Sequence, residues 1–230
     1  MNKKVLLLCA FVVTFLFASN TSAVDNALGF KGGIGMSTLY GDGADLIDLT
    51  PIVGFTGGAF YELSVAKSFS IQIEALFSMR GSKIEGSGGD LGDDLGDDWG
   101  DDWGDDWGDD WGDDYSTTSR YNYLEIPVLL NLKIPTMGNV TPYFYSGISL
   151  GVFLFGKAET DGLSFDIDDG VSTVDLLIPV GAGLQINAGP GKFVMDARFS
   201  LGLLDTDDSD SDPVKNMQLF SFMVGYAFQF

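Results

Sequence analysis

Histidine is absent from this sequence, and cysteine occurs once, at Cys9. Without histidine, the commonest general base and the commonest transition-metal ligand are missing. Cys9 sits in an apolar stretch near the start, behind Leu6, Leu7 and Leu8. A lipid-modified cysteine would need small residues there, so lipidation is not expected. Also lacking is any apolar run near the roughly 20 residues that a spanning helix requires. The longest, Val5 to Ala18, is about 14 residues by the same measure. It follows Lys3 and Lys4 and precedes Thr21-Ser22-Ala23, the order of charged, apolar and small residues that marks a secretory signal. Residues 1–23 are therefore expected to be a removable signal peptide, and residues 24–230 the mature domain. The mature chain then has no cysteine, which excludes disulfides, thiolate nucleophiles and cysteine metal sites.

Basic residues are scarce. The net charge is −21, and loss of Lys3 and Lys4 with the leader takes it to −23. Such a chain repels nucleic acid, which is excluded as a partner. Yet mean hydropathy is positive at +0.17, so charge and hydrophobicity must occupy different segments.

The apolar residues recur with period two, the spacing that puts alternate side chains on opposite faces of a strand. In Met217–Phe230, one face carries Phe220, Phe222, Val224, Tyr226, Phe228 and Phe230, and the other Ser221, Met223, Gly225, Ala227 and Gln229. Phe193–Leu204, Thr173–Asn187, Tyr143–Phe155, Tyr121–Ile134 and Phe69–Gly81 alternate in the same way. The glycine-rich Ile52–Leu63 and Leu28–Tyr40 alternate less cleanly. These are eight predicted strands.

A soluble sandwich also alternates, but here the large aliphatics share one face while glycine, serine, glutamine and single charges share the other. That suits lipid outside and a small polar lumen inside. The connections alternate too: Ser64–Ser68, Pro135–Val140 and Ala188–Lys192 are short, whereas Gly41–Thr50, Ile84–Ser119, Gly156–Ser172 and Asp205–Asn216 are long and polar. Short turns on one side and long loops on the other are the habit of outer-membrane barrels. Closure satisfies every backbone group in lipid and leaves no sheet edge. The expected fold is all-β: an eight-stranded antiparallel up-and-down transmembrane β-barrel in the cell outer membrane, with both termini periplasmic. Pro127 and Pro179 fall mid-strand, where each removes a ladder hydrogen bond, and bulges are expected there.

Several short pieces carry a family likeness: Gly29-Phe30-Lys31-Gly32-Gly33, Tyr123-Leu124-Glu125-Ile126-Pro127, Pro142-Tyr143 with Gly147, Gly181-Ala182-Gly183-Leu184, and Asp196-Ala197-Arg198 with Gly202. In these the chain resembles the PorT-like outer-membrane β-barrel family, small eight-stranded barrels of OmpA type. The likeness implies fold and location, and the family name suggests an export accessory. The C-terminus, with Gly225, Phe228 and Phe230, is similar to the sorting signal read by the barrel-assembly machinery, although Met223 stands where a polar residue is usual.

Two constellations could carry chemistry. The inward faces supply Lys31, Arg80, Lys133 and Arg198 against Glu62, Glu74, Glu125, Asp175 and Asp196. Confined to a narrow lumen, these charges are expected to pair, since isolated buried charge is costly. A structural plug is the favoured reading; a proton or ion path and a carboxylate acid–base site are the alternatives. The glycine runs Gly29 to Gly35 and Gly181-Ala182-Gly183 look like dinucleotide loops, but strand continues through them where a helix would have to begin.

The second constellation is the acidic low-complexity loop, residues 84–119. It repeats Leu-Gly-Asp-Asp twice and Trp-Gly-Asp-Asp four times, and holds all four tryptophans of the chain. Its paired carboxylates are Asp93, Asp94, Asp97, Asp98, Asp101, Asp102, Asp105, Asp106, Asp109, Asp110, Asp113 and Asp114. A solvated coil is the plainest expectation. Weak binding of a divalent oxygen-seeking cation such as Ca²⁺ is the second, although the spacing matches neither the EF-hand loop nor the nine-residue calcium repeat. Partner recognition through Trp99, Trp103, Trp107 and Trp111 is the third. No other cofactor is expected.

If the repeat gathers Ca²⁺, the cation should bring the tryptophans together at about 10⁻⁴ to 10⁻³ M. Titration with CaCl₂ would then change tryptophan fluorescence where ionic-strength-matched NaCl does not. Identical responses would reduce the loop to a screened polyanion. Function is expected to be non-enzymatic: a surface barrel displaying acidic loops to cations or a partner. A narrow pore or export accessory is the alternative, and a lipid-modifying enzyme stands third.

Overall fold

The computed structural model describes residues 26–40, 49–86, 115–160, 163–167, 173–203 and 216–230. The expected signal peptide and the Asp93–Asp114 repeat lie outside them. The alternating segments form β1 (Ala27–Tyr40), β2 (Leu49–Ala66), β3 (Phe69–Gly86), β4 (Tyr115–Lys133), β5 (Val140–Thr160), β6 (Leu163–Ile167), β7 (Val174–Ala188), β8 (Gly191–Gly202) and β9 (Asn216–Gln229). All pairings are antiparallel. Eight strands run in the order β4-β3-β2-β1-β9-β8-β7-β5, and pairing of β4 with β5 closes the ring. β6 hangs from the upper part of β5 as a short hairpin arm.

Closure is completed at the termini. Pairing of β1 with β9 runs from Ala27–Gln229 to Tyr40–Asn216, and Asn26 and Phe230 exchange backbone hydrogen bonds of 3.2 and 2.9 Å. Asn26 and Phe230 therefore lie at one end of the barrel, with the short β2–β3, β4–β5 and β7–β8 turns. The last is a tight turn in which Gly189 takes a positive φ of 62°, a conformation that glycine adopts without a Cβ clash.

Sidedness is inverted relative to a water-soluble protein. Phe30, Ile34, Phe144, Ile148, Phe220 and Phe222 face outward and are exposed, while Glu62, Glu74, Arg80, Asp196 and Arg198 are buried inside. Near the termini, Phe193, Tyr226 and Phe228 stack edge to face with centroids 5.0 and 5.1 Å apart, and Tyr61 approaches Phe230 at 6.4 Å. This is the aromatic girdle that outer-membrane barrels carry at an interface.

Three expectations are corrected. Strands overrun the expected connections: β3 continues to Gly86 and β4 starts at Tyr115, so the acidic connection is shorter than 84–119. Likewise, Gly156–Ser172 is not simply a loop, because β5 extends to Thr160 and turns into β6. At 18 to 21 residues, β3, β4 and β5 exceed the roughly 9–11 that a bilayer crossing needs, and their paired upper parts stand beyond it.

The proline bulges are also absent. Pairing lapses opposite Pro127 on the β3 side and opposite Pro179 on the β5 side, yet the register is the same before and after each gap. A missing N–H removes a hydrogen bond without requiring an extra residue. Register shifts fall instead between Pro51 and Thr56, between Ser64 and Ala66, and between Asn122 and Tyr123. Finally, Lys192, expected in a turn, belongs to β8 and is buried.

Candidate functional site: the charged lumen

Inward-facing side chains stack in three charged layers. At the end with the termini, Glu62 on β2 accepts from Lys192 at 2.7 Å, from Ser70 at 2.8 Å and from Gln185 at 3.1 Å, and is also paired with Lys133. Lys192 further donates to the Gln185 side-chain carbonyl at 2.9 Å.

The middle layer is a closed circuit. Arg198 on β8 grips Glu74 on β3 through two nitrogens, each 2.9 Å from a carboxylate oxygen. Lys31 on β1 bridges Glu74 at 2.8 Å and Asp196 at 3.0 Å. The Tyr145 hydroxyl donates to Asp196 at 3.0 Å and accepts from Arg198 Nε at 3.2 Å. In the ring order, β3 and β8 lie four strands apart in either direction, so the Arg198–Glu74 pair spans the full diameter of the lumen.

In the third layer, Arg80 bonds Glu125 at 2.7 Å and Asp175 at 2.7 Å. Its guanidinium lies 4.6 Å from the ring centroid of Tyr123. Nε and Nη1 donate hydrogen bonds to Glu125 and Asp175 at 3.1 and 2.7 Å, so the guanidinium is held between two carboxylates.

The structure brings all nine lumen residues expected from sequence into these layers. It also adds Lys192, so that five cations meet five anions. The missing signal was parity: Lys192 stands in step with Asp196 and Arg198, four and six residues along the same strand face. Sequence reading placed Met223 on the inner face but otherwise missed the apolar share of the lumen. Phe60, Leu76, Tyr123, Leu129, Tyr143, Leu177 and Met223 are all at most 2% exposed and fill the space between the charged layers. The twelve candidate aspartates of the repeat lie outside the described residues.

An outward apolar wall, an inward charged and packed core, and a closed antiparallel ring define an outer-membrane β-barrel. The sequence agrees: residues 17–208 match the family described as the outer membrane protein beta-barrel domain. The chain belongs to that family, which places it in the outer membrane.

No curated protein matches the sequence. Solved structures of similar shape include Neisserial surface protein A, 12% identical over 89% of this chain and 99% of that one with a TM-score of 0.48. OprG of Pseudomonas aeruginosa is 12% identical over 89% and 96%, with a TM-score of 0.48. The attachment invasion locus protein Ail of Yersinia pestis is 16% identical over 90% and 100%, with a TM-score of 0.40.

Proposed function

We propose that this protein is a non-enzymatic, non-conducting outer-membrane barrel whose lumen is a structural plug and whose long acidic loops face the exterior, with both termini periplasmic. The observation that carries the reading is the diametric Arg198–Glu74 pair, 2.9 Å at both contacts, within a lumen otherwise filled by packed aromatic and aliphatic side chains. Each ionised group has a partner of opposite charge, which is how buried charge is tolerated. Among the described residues, each lumen carboxylate is engaged by a cation rather than standing as a base beside a nucleophile. Orientation follows from loop length, because outer-membrane barrels keep short turns on the periplasmic side.

The partners on this reading are outer-membrane lipid, the barrel-assembly machinery during biogenesis, and cations or a surface partner at the loops. Within the family, the short motifs from Gly29 to Gly202 favour a PorT-like member.

Planar-bilayer recording tests the plug. The purified barrel is expected to give no discrete conductance steps at voltages that a folded barrel tolerates. Reproducible steps would overturn the plug and favour the pore or export-accessory alternative.

A further inference from the structure

Beyond the bilayer the barrel is one-sided. β2, β3, β4 and β5 run to 18, 18, 19 and 21 residues, whereas β1, β7, β8 and β9 run to 14, 15, 12 and 14. The long strands, with β6 at their edge, form a wall beside the mouth. Register assigns its two faces, since cross-strand partners share a side. Tyr121 pairs with Arg80 of the lumen and also with Gly156, which pairs in turn with Ile167. A register shift opposite Asn122 and Tyr123 reverses the parity of β5 there. Two residues on, Ser119, Ala158 and Phe165 continue the lumen side upward, and two further on Thr117, Thr160 and Leu163 do so again. The Thr117 and Thr160 hydroxyls meet at 2.9 Å on that side. The opposite face carries Lys83, Arg120, Lys157, Glu159 and Asp166.

An antiparallel sheet that stands in water with one polar and one apolar face covers the apolar one. Here Leu163 and Phe165 are 65% and 56% exposed, on strands that rise beyond the lipid-facing belt. Among the described residues of β3 to β6, no charged side chain shares their face above Arg80. An occupant of this face must therefore bring apolar groups and needs no counter-charge. The segments 41–48, 87–114, 161–162, 168–172 and 204–215 connect the strands at this end. Only 87–114 contains aromatic residues, and it holds four tryptophans.

That segment leaves the wall at Gly86 and rejoins it at Tyr115, and these two residues are cross-strand partners. Leu163 lies two strands from β4, roughly 10 Å away, level with Thr117, the second residue after Tyr115. Trp111 precedes Tyr115 by four residues, a reach of up to about 13 Å. Attachment at both ends holds the segment near the face at an effective concentration on the order of millimolar. We propose that tryptophans of residues 87–114 dock on the apolar face of the wall, against Leu163 and Phe165, while the aspartates between them stay in water. The carboxylates are then displayed from a fixed place on the barrel. Docking does not depend on which side of the membrane the mouth faces.

The test uses the mature barrel refolded in detergent micelles, in calcium-free buffer. All four tryptophans lie in the segment, so intrinsic fluorescence reports it alone. Acrylamide quenching is compared with that of a synthetic peptide of residues 87–114 in the same micelles. The folded barrel should be quenched about half as steeply as the peptide, because Trp107 and Trp111 are the tryptophans nearest to β4 along the chain and within reach of the face. Leu163→Ser combined with Phe165→Ser, both at exposed positions, should keep the heat-modifiable folded band and raise quenching to the level of the peptide. Phe165→Ser alone should raise it part of the way, and decides the matter if the double variant loses the folded band. Equal quenching of barrel and peptide, or protection that survives the substitutions, would overturn the docking. Protection that fades on dilution at constant detergent would also overturn it, in favour of a second copy as the occupant.

Discussion

Arg198→Ala is expected to lower the stability of the folded barrel by about 3–5 kcal/mol, the range for breaking a buried ion pair from one side. The residue holds both oxygens of Glu74 across the lumen and supports the Tyr145 hydroxyl. Its loss turns a balanced layer of Lys31, Arg198, Glu74 and Asp196 into one with an excess negative charge, and leaves a guanidinium-sized void beside Tyr145. Lys31 stays bonded to both carboxylates, which holds the cost within that range. Adding Glu74→Gln to Arg198→Ala should recover part of the loss, because the orphaned charge is then gone. Urea unfolding followed by heat-modifiable gel migration reads the effect. An unchanged midpoint in Arg198→Ala would mean that water already solvates the layer.

Gly33→Val is expected to abolish the folded band. Gly33 pairs with Met223 across the closing β1–β9 seam. A Cβ added there would collide with the Phe222 carbonyl oxygen and stand 2.7 Å from Met223 Cα. Both obstacles are backbone, so no rotamer change relieves them. The strands would have to separate where the ring closes, at a cost beyond the roughly 1–3 kcal/mol of ordinary overpacking.

The neighbouring glycine supplies the control. A Cβ on Gly32 would first meet the tip of the Phe55 ring at 3.5 Å, an ordinary contact. Gly32→Ala is therefore expected to fold, within about 0.5 kcal/mol of the parent. If Gly33→Val folded as well as Gly32→Ala, the seam would be looser than the backbone contacts indicate.

The sequence by itself determined the number of barrel strands, their two faces and the inversion of charge to the inside. Those properties are local: the parity of Phe220, Phe222 and Val224 against Ser221 and Met223 states which face each side chain takes, wherever the strand sits. The even strand count and the alternation of short and long connections likewise fixed the up-and-down order. Nine lumen charges were legible because each stood on the small-residue face of an alternating segment.

Only the tertiary structure decided how those charges combine. Arg198 bonds Glu74, 124 residues away, because ring closure puts β8 opposite β3, a relation that no spacing along the chain encodes. Lys192 was hidden by its place beside a turn: where β8 begins depends on its pairing with β7 and β9, and one added strand residue moves a lysine from solvent to lumen. The ends of β3 and β4 and the β5–β6 hairpin were hidden for a related reason, since polar residues above the bilayer lose the apolar contrast that marks a strand. The proline gaps depended on which neighbour each absent N–H would have faced. Leu163 and Phe165 take the lumen side of the wall only because the register shift opposite Asn122 and Tyr123 reverses the parity of β5, and no local alternation announces that reversal.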